Sequence, residues 1–212
     1  METVSDWFAW RADSKSQSVE NRNADRYTVV LGWENRDVLY SFLGIYTIGL
    51  WVFYPDEFIR KNVIIRHEDR PKMKKVSFNF LYEKCENVEH RYLKYKKVNE
   101  LDELKEFIRN YDLCGNVIPI WPGGNIAKGM QYCFDIPDIY FNQEKVSLWT
   151  KVLQQKYETS FLQALIDSIY GKETEMFLNE MDEEGYKKFL KHCVKIIRDR
   201  TNLIEIKEKE QR

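Results

Sequence analysis

VLYSFLGIYTIGLWVFY, residues 38–54, is the most apolar stretch of this chain and carries no charged side chain. It is shorter than the ~20 residues that a membrane-spanning helix needs. Its content of Tyr, Ile, Val, Thr and Trp favours buried β-strands, either one long strand or two short ones. Gly44 or Gly49 would then mark a bulge or turn. A single helix is the open alternative for this stretch.

The composition around this stretch is that of a folded protein with a sizeable core. The chain has 212 residues, of which 43% are hydrophobic and 15% aromatic. This length and composition fit one domain of the larger sort. Lys and Arg number 33 against 34 Asp and Glu, for a net charge of −1. This balance argues against a protein whose whole surface coats nucleic acid or an anionic membrane, but it allows local charged patches.

Strand-like patterns end near residue 56, and helical patterns follow. The first part includes RYTVVLGW, residues 26–33. The helical periodicities predict helices over residues 74–97, 99–113, 145–171 and 181–206. We therefore expect an α+β fold, a predominantly helical single domain with a small N-terminal β region. The expected divisions are a polar N-terminal arm over 1–25, the globular domain over 26–206 and a charged tail over 207–212.

Several local features refine this expectation. Asn99 is placed to cap the second helix, with Asp102 and Glu103 in its first turn. Pro119 restricts the extended segment around it to an edge strand or a tight connection. The apolar positions at helical spacing predict two buried faces: Leu101, Leu104, Phe107 and Ile108 on one helix, and Tyr186, Phe189, Leu190, Val194 and Ile197 on the last.

The four cysteines show no C-x-x-C spacing, which excludes a zinc knuckle and a thioredoxin-like motif. Cys114 follows a predicted helix and precedes a glycine, which would allow its thiol to be exposed, but no neighbouring histidine is identifiable as a catalytic partner. A buried or semi-buried thiol is the usual case for such a cysteine. The first residues lack the apolar segment of a secretory signal. A cytoplasmic protein with reduced thiols is the expectation.

Two segments, GNVIPIWPGGNIAKG (115–129) and FDIPDIYF (134–141), are followed by a helical region that ends in YKKFLKHCVKIIRDRTNLI. Over roughly residues 40–204, this chain resembles a family of bacterial proteins of about this size with no assigned function. The resemblance implies a bacterial or phage-borne cytoplasmic protein. It implies no catalytic residues.

The glycine-rich stretch after Trp121 is the first candidate site. Gly123, Gly124 and Asn125 can adopt left-handed backbone angles, and successive N–H groups in such a turn can form an anion-binding nest. Lys128 would add a positive charge. The stretch lacks the P-loop frame. A Pro-Gly turn that leads into a loop needs the same residue types, so a purely structural role is the alternative.

Asp135 and His67 are the candidate catalytic residues. Asp135 and Asp138 could act as paired carboxylates, although Asp135 would equally serve as a helix N-cap. His67 lies beside acidic residues in a polar segment and could act as a base. Glu86 and His90 stand at i, i+4, a spacing that can hold a metal, but the chain lacks the further motif that a di-iron bundle needs. We predict no metal and no cofactor.

Two basic segments are the candidate partner-binding site. Residues 60–75 carry seven basic and two acidic side chains, and residues 91–97 alternate basic residues with Tyr92 and Tyr95. Basic residues interleaved with aromatic residues suit phosphate contact and base stacking, although a solvated face is the simpler interpretation. The residues assigned to the site are Arg70, Lys72, Lys74, Lys75, Arg91, Lys94, Lys96 and Lys97.

These patterns lead to a binding or regulatory protein as the first hypothesis, with an acidic protein surface or nucleic acid as its anionic partner. The alternative is a small enzyme or sensor that acts on a phosphate-containing small molecule at residues 120–138. A third hypothesis is a scaffold that dimerises through its aromatic surface, because exposed aromatic residues are enriched at interfaces.

Overall fold

The computed structural model describes residues 1–13, 36–58, 80–81, 90–119 and 181–211. These segments are mostly helical and contain a small two-stranded antiparallel sheet. The expectation of a predominantly helical chain with a small β component is confirmed at this level. The division into arm, single domain and tail stays a prediction.

Most of the apolar stretch at residues 38–54 forms a helix, so the expectation of strands over this stretch was wrong. Helix α2 spans Phe42–Phe53 and is buried along nearly its whole surface. A helix that is apolar all round belongs in a protein core, and burial here outweighs the strand preference of its residues. Gly49 marks no bulge: a Cβ there would lie 2.7 Å from the Tyr186 hydroxyl oxygen, so glycine permits a close helix contact. In the described part of the chain, α2 included, every helix is too short or too polar to span a membrane.

The sheet pairs two short strands that are distant in sequence. Strand β1 (Arg36–Val38) lies antiparallel to β2 (Val117–Pro119), with Asp37 opposite Ile118. The edge position predicted for Pro119 is confirmed among the described strands. The β component is therefore not confined to the N-terminal region, because its second strand comes from the middle of the chain.

A helix near the N-terminus contributes aromatic side chains to the core. Helix α1 spans Val4–Asp13. Thr3 and Asp6 cap it reciprocally: the Asp6 amide donates to Thr3 Oγ1 (3.1 Å), and the Thr3 amide donates to Asp6 Oδ2 (2.9 Å). Trp7 and Phe8 are buried, and the Trp7 ring stacks on that of Phe42 at 4.1 Å.

The middle of the chain breaks into short elements where the sequence predicted longer helices. A 3₁₀ turn over Arg91–Lys94 leads to helix α3 (Lys96–Asn99) and then helix α4 (Asp102–Asn110). The helix expected to continue to residue 97 is thus interrupted. Asn99 is not an N-cap, because Leu101 occupies that position and the Asn99 side chain bonds elsewhere.

The last helix follows its predicted pattern. Helix α5 spans Glu183–Glu210 and therefore extends into the expected tail. The Asp182 side chain caps it by accepting a hydrogen bond from the Gly185 amide (2.7 Å). The five residues of its predicted inner face are all buried, as are Leu104, Phe107 and Ile108 of α4. Leu101, the fourth residue predicted for the inner face of α4, precedes the helix and is only partly buried. The acidic residues predicted for the first turn of α4, Asp102 and Glu103, are confirmed.

A second 3₁₀ turn, Cys114–Asn116, lies directly against α5. The Gly115 amide donates to Thr201 Oγ1 (3.0 Å), and Arg200 donates to the carbonyl oxygens of Gly115 (2.9 Å) and Val117 (2.6 Å). This packing buries Cys114, which is the usual case for a cysteine, and excludes the exposed alternative in this conformation.

Gly115→Ala should strongly destabilise the protein. An alanine Cβ would lie 2.0 Å from the Ile197 carbonyl oxygen and 2.6 Å from the Thr201 amide nitrogen, so backbone would have to move. We expect a loss of about 3 kcal/mol in the free energy of unfolding, measured by urea denaturation.

Gly185→Ala is the matched control, because its Cβ would meet only side-chain atoms, at 3.1 Å and 3.3 Å. Its effect should stay within about 1 kcal/mol, since alanine also favours the helix. Equal urea midpoints for Gly115→Ala and the wild type would contradict this account of the turn.

Candidate partner-binding surface

The segment from Arg91 to Asn99 buries one residue in three. Tyr92, Tyr95 and Val98 point into the core, whereas Lys94, Lys96 and Lys97 are exposed. A 3₁₀ turn aligns residues i and i+3, so Tyr92 within the turn and Tyr95 directly after it share the inner side. The exposed side then consists of basic residues and Leu93. We call Arg91, Leu93, Lys94, Lys96 and Lys97 the basic surface.

Hydrogen bonds hold the backbone beneath the basic surface. The Tyr46 hydroxyl of helix α2 donates to Asn99 Oδ1 (2.6 Å), and Asn99 Nδ2 donates to the carbonyl oxygen of Tyr92 (2.7 Å). The Lys97 amide donates to the Tyr54 hydroxyl (3.1 Å). The lysines of the basic surface are thus displayed from a backbone that the core fixes in place.

The structure corrects the role expected for the tyrosines of this segment. The Tyr92 ring is buried and stacks on the Phe8 ring at 4.1 Å, and the His90 ring lies parallel to it at 5.3 Å. The Tyr95 ring is buried and meets the rings of Tyr54 (5.1 Å) and Phe58 (5.4 Å) at steep angles. Base stacking requires an accessible ring face. Neither tyrosine can therefore stack on a nucleic-acid base in this conformation.

One carboxylate is already bound at the edge of the basic surface. Glu57 Oε1 accepts hydrogen bonds from Lys94 Nζ (2.7 Å) and from the Tyr95 hydroxyl (2.7 Å). Burial opposes ionisation of Glu57, but these two hydrogen bonds and the charge of Lys94 outweigh it and hold the pKa of Glu57 below its usual value. Burial and the hydrogen bond to Glu57 raise the pKa of Tyr95, so its hydroxyl stays protonated and can donate.

The other basic side chains differ in how they are engaged. The Arg91 guanidinium lies over the Phe80 ring, 4.7 Å from its centroid. Lys96 and Lys97 are exposed and form no ion pair with any described residue. Their charges are therefore the most available ones on the basic surface.

The remaining predicted site residues lie outside the described part of the chain. They are His67, Arg70, Lys72, Lys74, Lys75, Gly123, Gly124, Asn125, Lys128 and Asp135. Their assignments stay predictions. Glu86 lies outside it as well, so the i, i+4 pair with His90 is also untested. Within the described residues, no group of three His, Cys, Asp or Glu side chains is arranged to hold a metal ion.

A second charged surface lies in the groove between helices α4 and α5, with a volume of about 530 Å³. Its side chains neutralise one another across the two helices. Lys191 pairs with Glu103 (3.2 Å), and Glu106 accepts from both Arg109 (2.7 Å) and Arg198. This internal pairing suits a contact that joins two helices better than a site for a charged ligand.

Comparison with protein-family models, with curated proteins and with solved structures finds no match for this chain. The resemblance to a bacterial family therefore stays a prediction, and the geometry of the described residues carries the functional argument.

Sequence reasoning missed two residues of this region. Glu57 lies 37 positions before Lys94, and no spacing rule connects them. Leu93 is apolar, and the pattern of basic residues on which the site is predicted does not include it. Burial at every third residue was the available signal: Tyr92, Tyr95 and Val98 are apolar or aromatic, and the residues between them are mostly charged.

The bound carboxylate should make stability depend on pH in a defined window. The lowered pKa of Glu57 means that its hydrogen bonds stabilise the fold above the unfolded value of about 4.3. This stabilisation is lost as the pH falls through the lower folded pKa. We expect Glu57→Gln to be less stable than the wild type at neutral pH, by less than about 1 kcal/mol because the pair is exposed.

The difference between Glu57→Gln and the wild type should shrink on acidification, as measured by urea denaturation from neutral to acid pH. Glu100→Gln is the control, because exposed Glu100 makes no ion pair with a described residue. A Glu57→Gln difference that stays constant down to acid pH would rule out the proposed linkage.

Proposed function

We propose that this chain is a binding protein that engages an anionic partner through the basic surface. The observation that carries the proposal is the exposure of Lys96 and Lys97, without ion pairs among the described residues, on a segment whose inner side is buried. A positive patch on a protein with a net charge of −1 is a local feature that can recognise a partner.

Preorganisation supports this proposal. The backbone of residues 92–99 is tied to helix α2 through Tyr46 and Asn99, so the lysines need not be positioned by the partner. A surface that is already ordered loses less conformational freedom on binding than a mobile one. Side-chain motion of the lysines still has to be reduced, which limits the contribution of each charge.

The proposal includes a cytoplasmic location. This part of the proposal rests on the sequence, for which a cytoplasmic protein with reduced thiols is the default expectation. A bacterial or phage origin belongs to the same proposal and rests on the sequence resemblance. The enzyme or sensor alternative stays a prediction, because its residues at 120–138 lie outside the described part of the chain.

Reversal of the two available charges should weaken binding of anionic probes. We expect Lys96→Glu combined with Lys97→Glu to reduce affinity for a fluorescein-labelled acidic peptide about tenfold, equal to about 1.4 kcal/mol. The salt dependence of binding should fall as well, because screening acts on those same charges. Fluorescence anisotropy at several salt concentrations measures both effects.

The matched control reverses two exposed lysines of helix α5, Lys188→Glu with Lys209→Glu, and changes the net charge by the same amount. Equal losses in both double variants would show that net charge alone governs binding and would overturn the assignment of the basic surface. Wild-type protein that binds no anionic probe would overturn the proposed function itself.

A further inference from the structure

We propose that the basic surface takes an acidic peptide segment that carries an apolar side chain, and that this side chain packs on Leu93. The inference rests on the proposed function and deepens it by naming the class of partner. Three observations favour a peptide over a nucleic acid: the exposed leucine, the buried tyrosines and the carboxylate already held there.

Leu93 is the apolar element of the basic surface. Its exposure is 40%, and Ile206 (53%) is the other large hydrophobic residue with high exposure in the described segments. In sequence, Lys94 follows it directly and Arg91 lies two residues before it. Protein interfaces combine an apolar centre with a polar rim. A leucine among cations provides such a centre for a peptide with acidic and apolar residues.

The buried tyrosines remove the feature that would favour single-stranded nucleic acid. Proteins that bind single strands combine positive charge with aromatic side chains on which bases stack. Tyr92 and Tyr95 are 5% and 0% exposed, so their rings are not accessible to bases. The basic surface therefore keeps its positive charge but has no accessible tyrosine ring on which a base could stack.

Glu57 shows that the donors of this surface suit a carboxylate. One of its oxygens accepts from both Lys94 Nζ and the Tyr95 hydroxyl, each at 2.7 Å. Carboxylates of a peptide could use Lys96 and Lys97 in the same way, since both are exposed and make no ion pair among the described residues. Hydrogen bonds between charged groups of this kind are stronger than neutral ones.

The test uses the full chain and three labelled probes of matched net charge. Two are acidic peptides of equal length, one with leucines and one with serines between the glutamates, and the third is a single-stranded RNA. We expect the leucine peptide to bind about fivefold more tightly than the serine peptide. Leu93→Ser should abolish this preference, and the milder Leu93→Ala should reduce it. Ile206→Ser, the matched control, should leave it unchanged.

The outcomes separate this inference from the proposed function. Equal binding of the two peptides, an unchanged preference in Leu93→Ser, or tighter binding of the RNA than of the leucine peptide would overturn the inference. If, in any of these cases, the double variant Lys96→Glu with Lys97→Glu still binds the serine peptide less tightly than the wild type does, the proposed function stands, although the further inference fails. Failure of all three probes to bind wild-type protein would overturn both.

Discussion

The close contact between the Cys114–Asn116 turn and helix α5 is the constraint on which the described structure depends. Gly115 approaches the helix backbone so closely that no side chain fits between them. The Arg200 side chain is only 1% exposed and donates hydrogen bonds to the carbonyl oxygens of Gly115 and Val117. Both oxygens are buried, so water cannot serve as their hydrogen-bond partner. Buried backbone groups need such partners, because an unsatisfied one is costly. The contact thus fixes where strand β2 begins relative to the last helix.

From that contact, polar side chains connect the core to the basic surface. Asn116 Oδ1 accepts from the Tyr40 amide, which places the residues before helix α2 beside the turn. Helix α5 reaches α2 at its other end, where the Tyr186 hydroxyl donates to the Ile45 carbonyl oxygen (2.9 Å) above Gly49. The Tyr46 hydroxyl of α2 then donates to Asn99. The position of the basic surface therefore depends on contacts made far from it.

The sequence correctly predicts the helices that bury one face only. It does not predict the type of an element that is buried on all sides. Helices α4 and α5 repeat apolar residues at steps of three and four, and every residue that this pattern predicts on their inner faces is buried except Leu101, which is partly buried at the N-cap. Helix α2 has no polar face, and its residues favour strands, so periodicity could not separate helix from strand there. Contacts between distant positions, such as Arg198 with Glu106 and Lys94 with Glu57, have no signal in a single sequence.

The basic surface shows why alternation of basic and aromatic residues is an ambiguous motif. The tyrosines of RYLKYKK (91–97) could face solvent and stack on bases, or face the core and anchor the segment. The sequence pattern is identical in the two cases. The choice depends on what covers them, here Phe8 from helix α1 and Tyr54 and Phe58 from the segment after α2. Once the tyrosines are buried, the exposed side chains decide what can bind. Those side chains are cations around a leucine, and this chemistry complements an acidic, partly apolar segment better than a base.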